Sequence, residues 1–241
     1  MTPVLKIITD YCTQYVDDDR LETLSVADSA LWAWSMWKFL KVGISLCTKP
    51  YELMVYLLGT PDEPHIVEPK FDTVSYTTAQ AYTEDITVEL GEEYAGYEVC
   101  VCRMRTINSG GVVSLIPMPC FYDAQTGSVR ISVSEDEVIP KGTTFEFDFY
   151  TDGYFTENLS WDVCDILGTA FQVSWQNRFN TDWLSLVVKI EDKSFYEQNR
   201  ANKENADTTR LNELNKILAG KLRAWEQNLY YKNTVFNRPT V

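Results

Sequence analysis

Hydrophobic positions recur at two different periods along the chain, and the change of period divides it. Val4, Leu5, Ile8, Cys12, Tyr15 and Val16 fall on one stripe at helical spacing. The spacing predicts a helix over 3–16, with Thr2 as its N-cap and Pro3 at the first helical position, where a missing N–H costs nothing. A second helix is expected to start at Ser25, with Asp28 three residues on as a capping-box variant, and to carry Leu31, Trp32, Trp34, Trp37 and Phe39. Tryptophans at this spacing wrap most of a helix, which points to burial on several sides rather than to an exposed platform for a ligand. A short helix over 51–58 follows Pro50. Gly59, Pro61, Pro64 and Pro69 then break the pattern and mark a boundary.

From about Tyr82 to Phe155 the period is two. Strands are expected over 86–90, 98–105, 112–122, 128–134 and 143–151, separated by turn signals such as Gly91, Gly110-Gly111 and Gly127. Phe145, Phe147 and Phe149 alternate with Glu146, Asp148 and Tyr150, which predicts one buried and one wet face, as in an antiparallel sheet. Short strands at this spacing suggest a small β-sandwich or barrel.

Helical spacing returns after Ser160, with Val163, Ile166, Leu167, Ala170, Phe171, Ser174 and Trp175 on the inner stripe. A further helix is expected to restart at 180–182, and the polar run 191–205 is too hydrophilic to bury a core. The last helix is expected over 207–231, with Leu211, Leu214, Leu218, Leu222, Trp225 and Leu229 at spacings of three and four. The fold expected is α+β. Residues 1–60 and 158–231 form a helical bundle, 61–81 an irregular linker, 82–157 an inserted antiparallel β-domain and 232–241 an extended tail. An insertion is tolerated where its two ends lie close in space.

Composition narrows the chemistry. The 241 residues carry 21 Lys+Arg against 35 Asp+Glu, a net charge of -14, with His65 the only histidine. Sequence-independent nucleic-acid binding by the whole chain is disfavoured, because it is driven by cations neutralising phosphates. A single histidine excludes chemistry built on a His pair. The six cysteines include no C-x-x-C; Cys100 and Cys102 share one face of a strand, and all six read as free buried thiols of a reducing compartment. No secretory leader is read at the start, and the apolar stretch 31–58 is interrupted by Lys38, Lys41, Lys49, Pro50 and Glu52, so it reads as buried helices rather than a membrane span.

Candidate chemistry is sparse. Asp148 to Gly153 begins like a calcium loop, but Tyr150 and Leu159 stand where oxygen ligands are needed. The acidic clusters 17–19, 92–93 and 135–137 sit in expected caps or turns, where solvated surface explains them better than the facing carboxylates of a glycosidase. No phosphate-loop, dinucleotide, zinc-protease or nucleophile-elbow motif occurs, and no enzyme activity or cofactor is expected. Charge is unevenly divided: residues 200–241 hold eight Lys or Arg and four Asp or Glu, net +4, so the rest carries -18. A basic end on an acidic body suits an acidic patch on a neighbouring copy or another protein.

The run Trp37 to Pro50 leading to Tyr56-Leu57, together with 147–155, Ile166-Leu-Gly168, 175–179 and 189–195, resembles the head-to-tail adaptor (neck ring) proteins of short-tailed phages, with the crAss-like phages of gut Bacteroidetes as the nearest group. The resemblance implies a non-catalytic virion structural protein, assembled in the host cytoplasm and placed at the head–tail neck. In that family copies form a cyclic ring, twelve by resemblance, around the DNA channel beneath the portal protein, and C-terminal segments dock on the portal, a neighbour or the next tail protein. Packaged DNA would pass without specific binding, since like-charged walls let a duplex slide. The residues expected to dock a partner are Tyr230, Tyr231, Lys232, Val235, Phe236, Arg238 and Pro239. The alternatives are another neck or tail component, or a carbohydrate-binding β-module with a helical anchor that presents Tyr94, Tyr97, Tyr122 and Tyr150 for stacking.

Overall fold

The computed structural model describes residues 1–13, 25–26, 28–107, 111, 113–134, 138–186 and 193–235. In chain order these form β1 (Thr2–Pro3), α1 (Val4–Ile7, continued by a π-helical turn Ile8–Cys12), α2 (Ser29–Leu46), α3 (Tyr51–Leu58), β2 (Ile66–Val67), β3 (Lys70–Thr77), β4 (Ile86–Glu89), β5 (Val99–Ile107), β6 (Val113–Met118), β7 (Cys120–Asp123), β8 (Ser128–Ile131), β9 (Thr144–Thr151), β10 (Tyr154–Phe155), α4 (Trp161–Leu186) and α5 (Lys193–Val235). The chain is mixed α+β, with three antiparallel sheets and no closed barrel among the described residues. It divides into two compact units. Met1–Asp17, Trp37–Val67 and Tyr154–Val241 form the first, Asp18–Met36 and Glu68–Gly153 the second.

The first unit is helical, with one small sheet of order β1-β10-β2. Val67 pairs with Tyr154 and Ile66 with Phe155, so the chain leaves for residues 68–153 and returns on neighbouring strands, while the second unit also takes in Asp18–Met36 from the stretch expected in the bundle. Thr2 and Pro3 pair with Phe155 and Tyr154, which moves them out of the helix expected there. The Thr2 hydroxyl donates to the Glu157 carbonyl and accepts the Leu159 N–H instead of capping α1, and Pro3, with ψ near 140°, is the residue before the first helical turn. Val4, Ile7, Ile8 and Cys12 are fully buried, and the π-helical turn packs on α4.

Every residue of the stripe foreseen for α4, from Val163 to Trp175, is buried. Phe39 of α2 meets Phe171 and Trp175 edge-on, with ring centroids 6.3 and 4.8 Å apart. Two glycines let backbones touch. A Cβ on Gly43 would lie 2.8 Å from the Ala170 carbonyl carbon, and one on Gly168 would lie 2.4 Å from the Tyr11 carbonyl oxygen. No restart occurs at 180–182, because α4 runs unbroken to Leu186. Likewise α5 begins at Lys193, inside the polar run, and continues to Val235, so Lys232–Val235 are helical rather than part of an extended tail.

The second unit holds a four-stranded sheet, β3-β9-β5-β6, and a three-stranded sheet, β4-β8-β7. Both contribute to one core: Ile86 and Val88 from β4, Cys102 from β5, Val129 and Ile131 from β8, Ile139, and Phe145, Phe147 and Phe149 from β9. Burying each phenylalanine contributes about 1.5–3 kcal/mol. The strand expected over 112–122 is two strands. Pro119 has no N–H for a ladder, and around it the chain leaves β5 to pair with β8 as β7. The stretch read as an irregular linker contains β3, which pairs along its whole length with β9.

One expectation fails on the far side of β9. The face carrying Asp148 and Tyr150 is not wet, since the two residues are only 1% and 2% exposed. The start of α2 belongs to this unit, and its Trp34 ring stacks on Phe71 of β3 at 5.7 Å.

Candidate functional site

The residues expected to dock a partner lie at the end of α5. Its contact with α4 is the most extensive between helices, and the described part of its surface is mostly solvent-facing: between residues 208 and 231 only Leu218 is buried. Lys221 fixes the pairing. Its Nζ lies 2.6 Å from Asp165 Oδ2 and donates to the Thr169 hydroxyl at 2.8 Å. Beside this pair, Asp162, Ile166, Trp225 and Asn228 line a cleft of about 120 Å³. Since α4 begins at Trp161, the antiparallel pairing of 165 with 221 brings α5 to the end of α4 near residue 225. Tyr230 and Tyr231 come after that point, 67% and 62% exposed, their rings edge-on at 6.4 Å. Lys232 and Val235 continue the helix, while Phe236, Arg238 and Pro239 lie outside the described residues. Exposed Ile217 adds apolar surface a few turns earlier.

The sequence reading missed a buried charge cluster in the second unit. Asp28 caps α2 directly, its Oδ1 accepting the Leu31 N–H at 2.9 Å, where the reading placed the cap at Ser25. Its Oδ2 lies 3.1 Å from Arg103 Nη1 of β5 without hydrogen-bond geometry. The other guanidinium nitrogen, Arg103 Nη2, makes a very short contact with Asp148 Oδ2 of β9 and lies 4.0 Å from Glu146. Thr73 of β3 donates its hydroxyl to Asp148 Oδ1 at 2.7 Å. One guanidinium thus faces three carboxyl groups. Burial, and then the neighbouring Asp148 carboxyl, push the Asp28 carboxyl up to about 7; the Leu31 N–H and Arg103 pull the other way. The signal in the sequence was an arginine in one expected strand and an aspartate on the supposedly wet face of another, but only the register Val101–Asp148 and Arg103–Glu146 brings them together.

Asp148, which opens the calcium-like string, is therefore committed to Arg103, and Asp152 accepts the Tyr150 hydroxyl at 3.0 Å and the Gly153 N–H. Among the described residues no three His, Cys, Asp or Glu side chains converge as a metal site. Glu92 and Glu93 lie exposed on a 3-10 turn; the clusters 17–19 and 135–137 lie outside the described residues. The rings of Tyr94, Tyr97 and Tyr122 pack on Phe149 with centroids 5.2 to 5.5 Å away, and Tyr150 is buried, its hydroxyl pKa raised by burial and by Asp152.

Four cysteines, Cys12, Cys47, Cys102 and Cys164, are buried free thiols; burial pushes Cys47 and Cys102 up to about 12. Cys100 and Cys120 are free and half-buried. No helix among the described residues is long and apolar enough to cross a membrane.

Comparison of the chain with protein-family models, with curated proteins and with solved structures gives no match.

Proposed function

We propose that this protein is a non-catalytic structural component of a virion, a head-to-tail adaptor whose copies form a ring around the DNA channel and dock the portal and tail through their C-terminal helix. The observation that carries the reading is α5 itself. A helix of 43 residues extends over about 65 Å, yet a single one of its residues between 208 and 231 is buried. It carries apolar and aromatic side chains at Ile217, Tyr230 and Tyr231 on a segment of net positive charge, while the rest of the chain is strongly acidic. An aromatic, basic surface meeting an acidic one is the chemistry of an interface repeated from copy to copy, and such a heterologous contact closes into a ring when its rotation divides the circle.

The test is the oligomeric state of the full chain, by light scattering coupled to size exclusion and by negative-stain imaging, alone and with portal protein. Rings with a central hole support the reading. A protein that stays monomeric in both cases sinks it. Duplex DNA titrated onto the rings at low salt should bind weakly, because the acidic body repels phosphates.

A further inference from the structure

Cys100 and Cys120 occupy the place where the two sheets of the second unit part. The β5–β6 ladder ends with Cys102 opposite Met118, two residues short of Cys100 and Cys120, and β5 stays in contact with β7 beyond it. Between Met118 and Cys120 stands Pro119, where the chain turns from one sheet to the other. The Cys120 thiol reaches back to the Cys100 carbonyl, with Sγ 3.8 Å from the oxygen. A disulfide needs Cβ atoms about 3.5–4.5 Å apart, a span that two residues in this contact reach with a small backbone adjustment. Both residues are partly open to solvent, unlike Cys102 beside them, which is 1% exposed.

We propose that Cys100 and Cys120 are a redox-active thiol pair that closes to a disulfide on exposure to a low-molecular-weight disulfide such as oxidised glutathione, fastening β5 to the start of β7. The interaction between the two thiols holds the Cys120 thiol down to about 7 and, together with burial, raises that of Cys100. Cys120 is thus the attacking sulfur. Its thiolate attacks one sulfur of oxidised glutathione, forming a mixed disulfide and expelling one glutathione thiolate, which takes up a proton. The charge that held the proton on Cys100 is then gone. Cys100 loses that proton, its sulfur attacks Cys120 Sγ, and the second glutathione leaves. In sum two thiols give up two electrons and two protons, and one glutathione disulfide becomes two glutathione thiols.

The experiment exposes the full-length native protein to oxidised glutathione, blocks remaining thiols by alkylation, and maps peptides by mass spectrometry. The result expected is an intact mass lower by two hydrogens, one cross-link between the peptides holding Cys100 and Cys120, and a higher unfolding midpoint reversed by reductant. Cys100→Ser should arrest the reaction at a glutathione adduct on Cys120, and Cys102→Ser should leave the cross-link intact. Six alkylated thiols after treatment, a stable adduct on the unaltered protein, or a cross-link through Cys102 would each overturn the proposal. The mapping of the unaltered protein decides the matter even where a serine variant fails to fold.

Discussion

Arg103 holds Asp28 from 3.1 Å on one side and Asp148 on the other, so a single guanidinium ties the first turn of α2 to the two central strands of a sheet. Removing that cation strands two carboxyl groups that are each 1% exposed. Breaking a buried pair in this way costs about 3–5 kcal/mol. Arg103→Met should lower the urea midpoint accordingly, and adding Asp148→Asn should recover part of the loss. A double-mutant cycle measures this; strictly additive effects would show that the two groups do not interact.

Asp28 gives the cluster a pH dependence of unusual sign for an aspartate. Its carboxyl titrates near 7 in the folded chain against 3.8 in the unfolded one, so between those values the folded state binds more protons. Stability from this group is complete below about pH 4 and is lost as pH rises through 7. Asp28→Asn keeps an oxygen for the Leu31 N–H but cannot ionise. The gap between the two proteins' urea midpoints, followed from pH 4 to pH 8, should shift in favour of the variant as pH rises. A constant gap would show that Asp28 titrates as it does in water.

Glycine positions in the helices should respond in opposite directions. At Gly168 an alanine Cβ would run into the Tyr11 carbonyl, and at Gly43 into the backbone of Ala170 and Phe171. Neither obstacle is a flexible side-chain end, so each substitution should destabilise by about 1–3 kcal/mol or more. Gly220 lies inside α5 with nothing within 4 Å of its Cβ position, and Gly220→Ala should stabilise by up to about 1 kcal/mol. Thermal unfolding of the three variants distinguishes these outcomes.

Tyr231→Ala and Ile217→Ser remove exposed side chains, so monomer stability should change by less than about 0.5 kcal/mol. If α5 is the assembly surface, the same variants should shift the oligomer toward smaller species in size exclusion at equal concentration. Unchanged assembly would move the interface elsewhere.

What the sequence revealed depended on whether a residue's environment was local. The helix Tyr51–Leu58 was legible to the residue because Pro50 precedes it and Gly59, at φ 74°, ends it. The inner stripe of α4 was legible because six of its seven members are apolar side chains at helical spacing. The strand β3 was not: only Phe71, Val74 and Tyr76 are even half-buried on an edge of polar composition, and what makes it a strand is β9. The split at Pro119 also depends on partners, since both halves alternate properly and only the pairing separates them. The cluster around Arg103 needed register across three strands and a helix start from another part of the chain, none of which periodicity reports. For α5, helical propensity of a polar run carried the helix well upstream of its leucine stripe.

The neighbouring strands Ile66–Val67 and Tyr154–Phe155 let residues 68–153 grow or shrink by whole hairpins without lengthening the gap that the helical framework must bridge there. The two bodies can therefore diverge at different tempos under mutation.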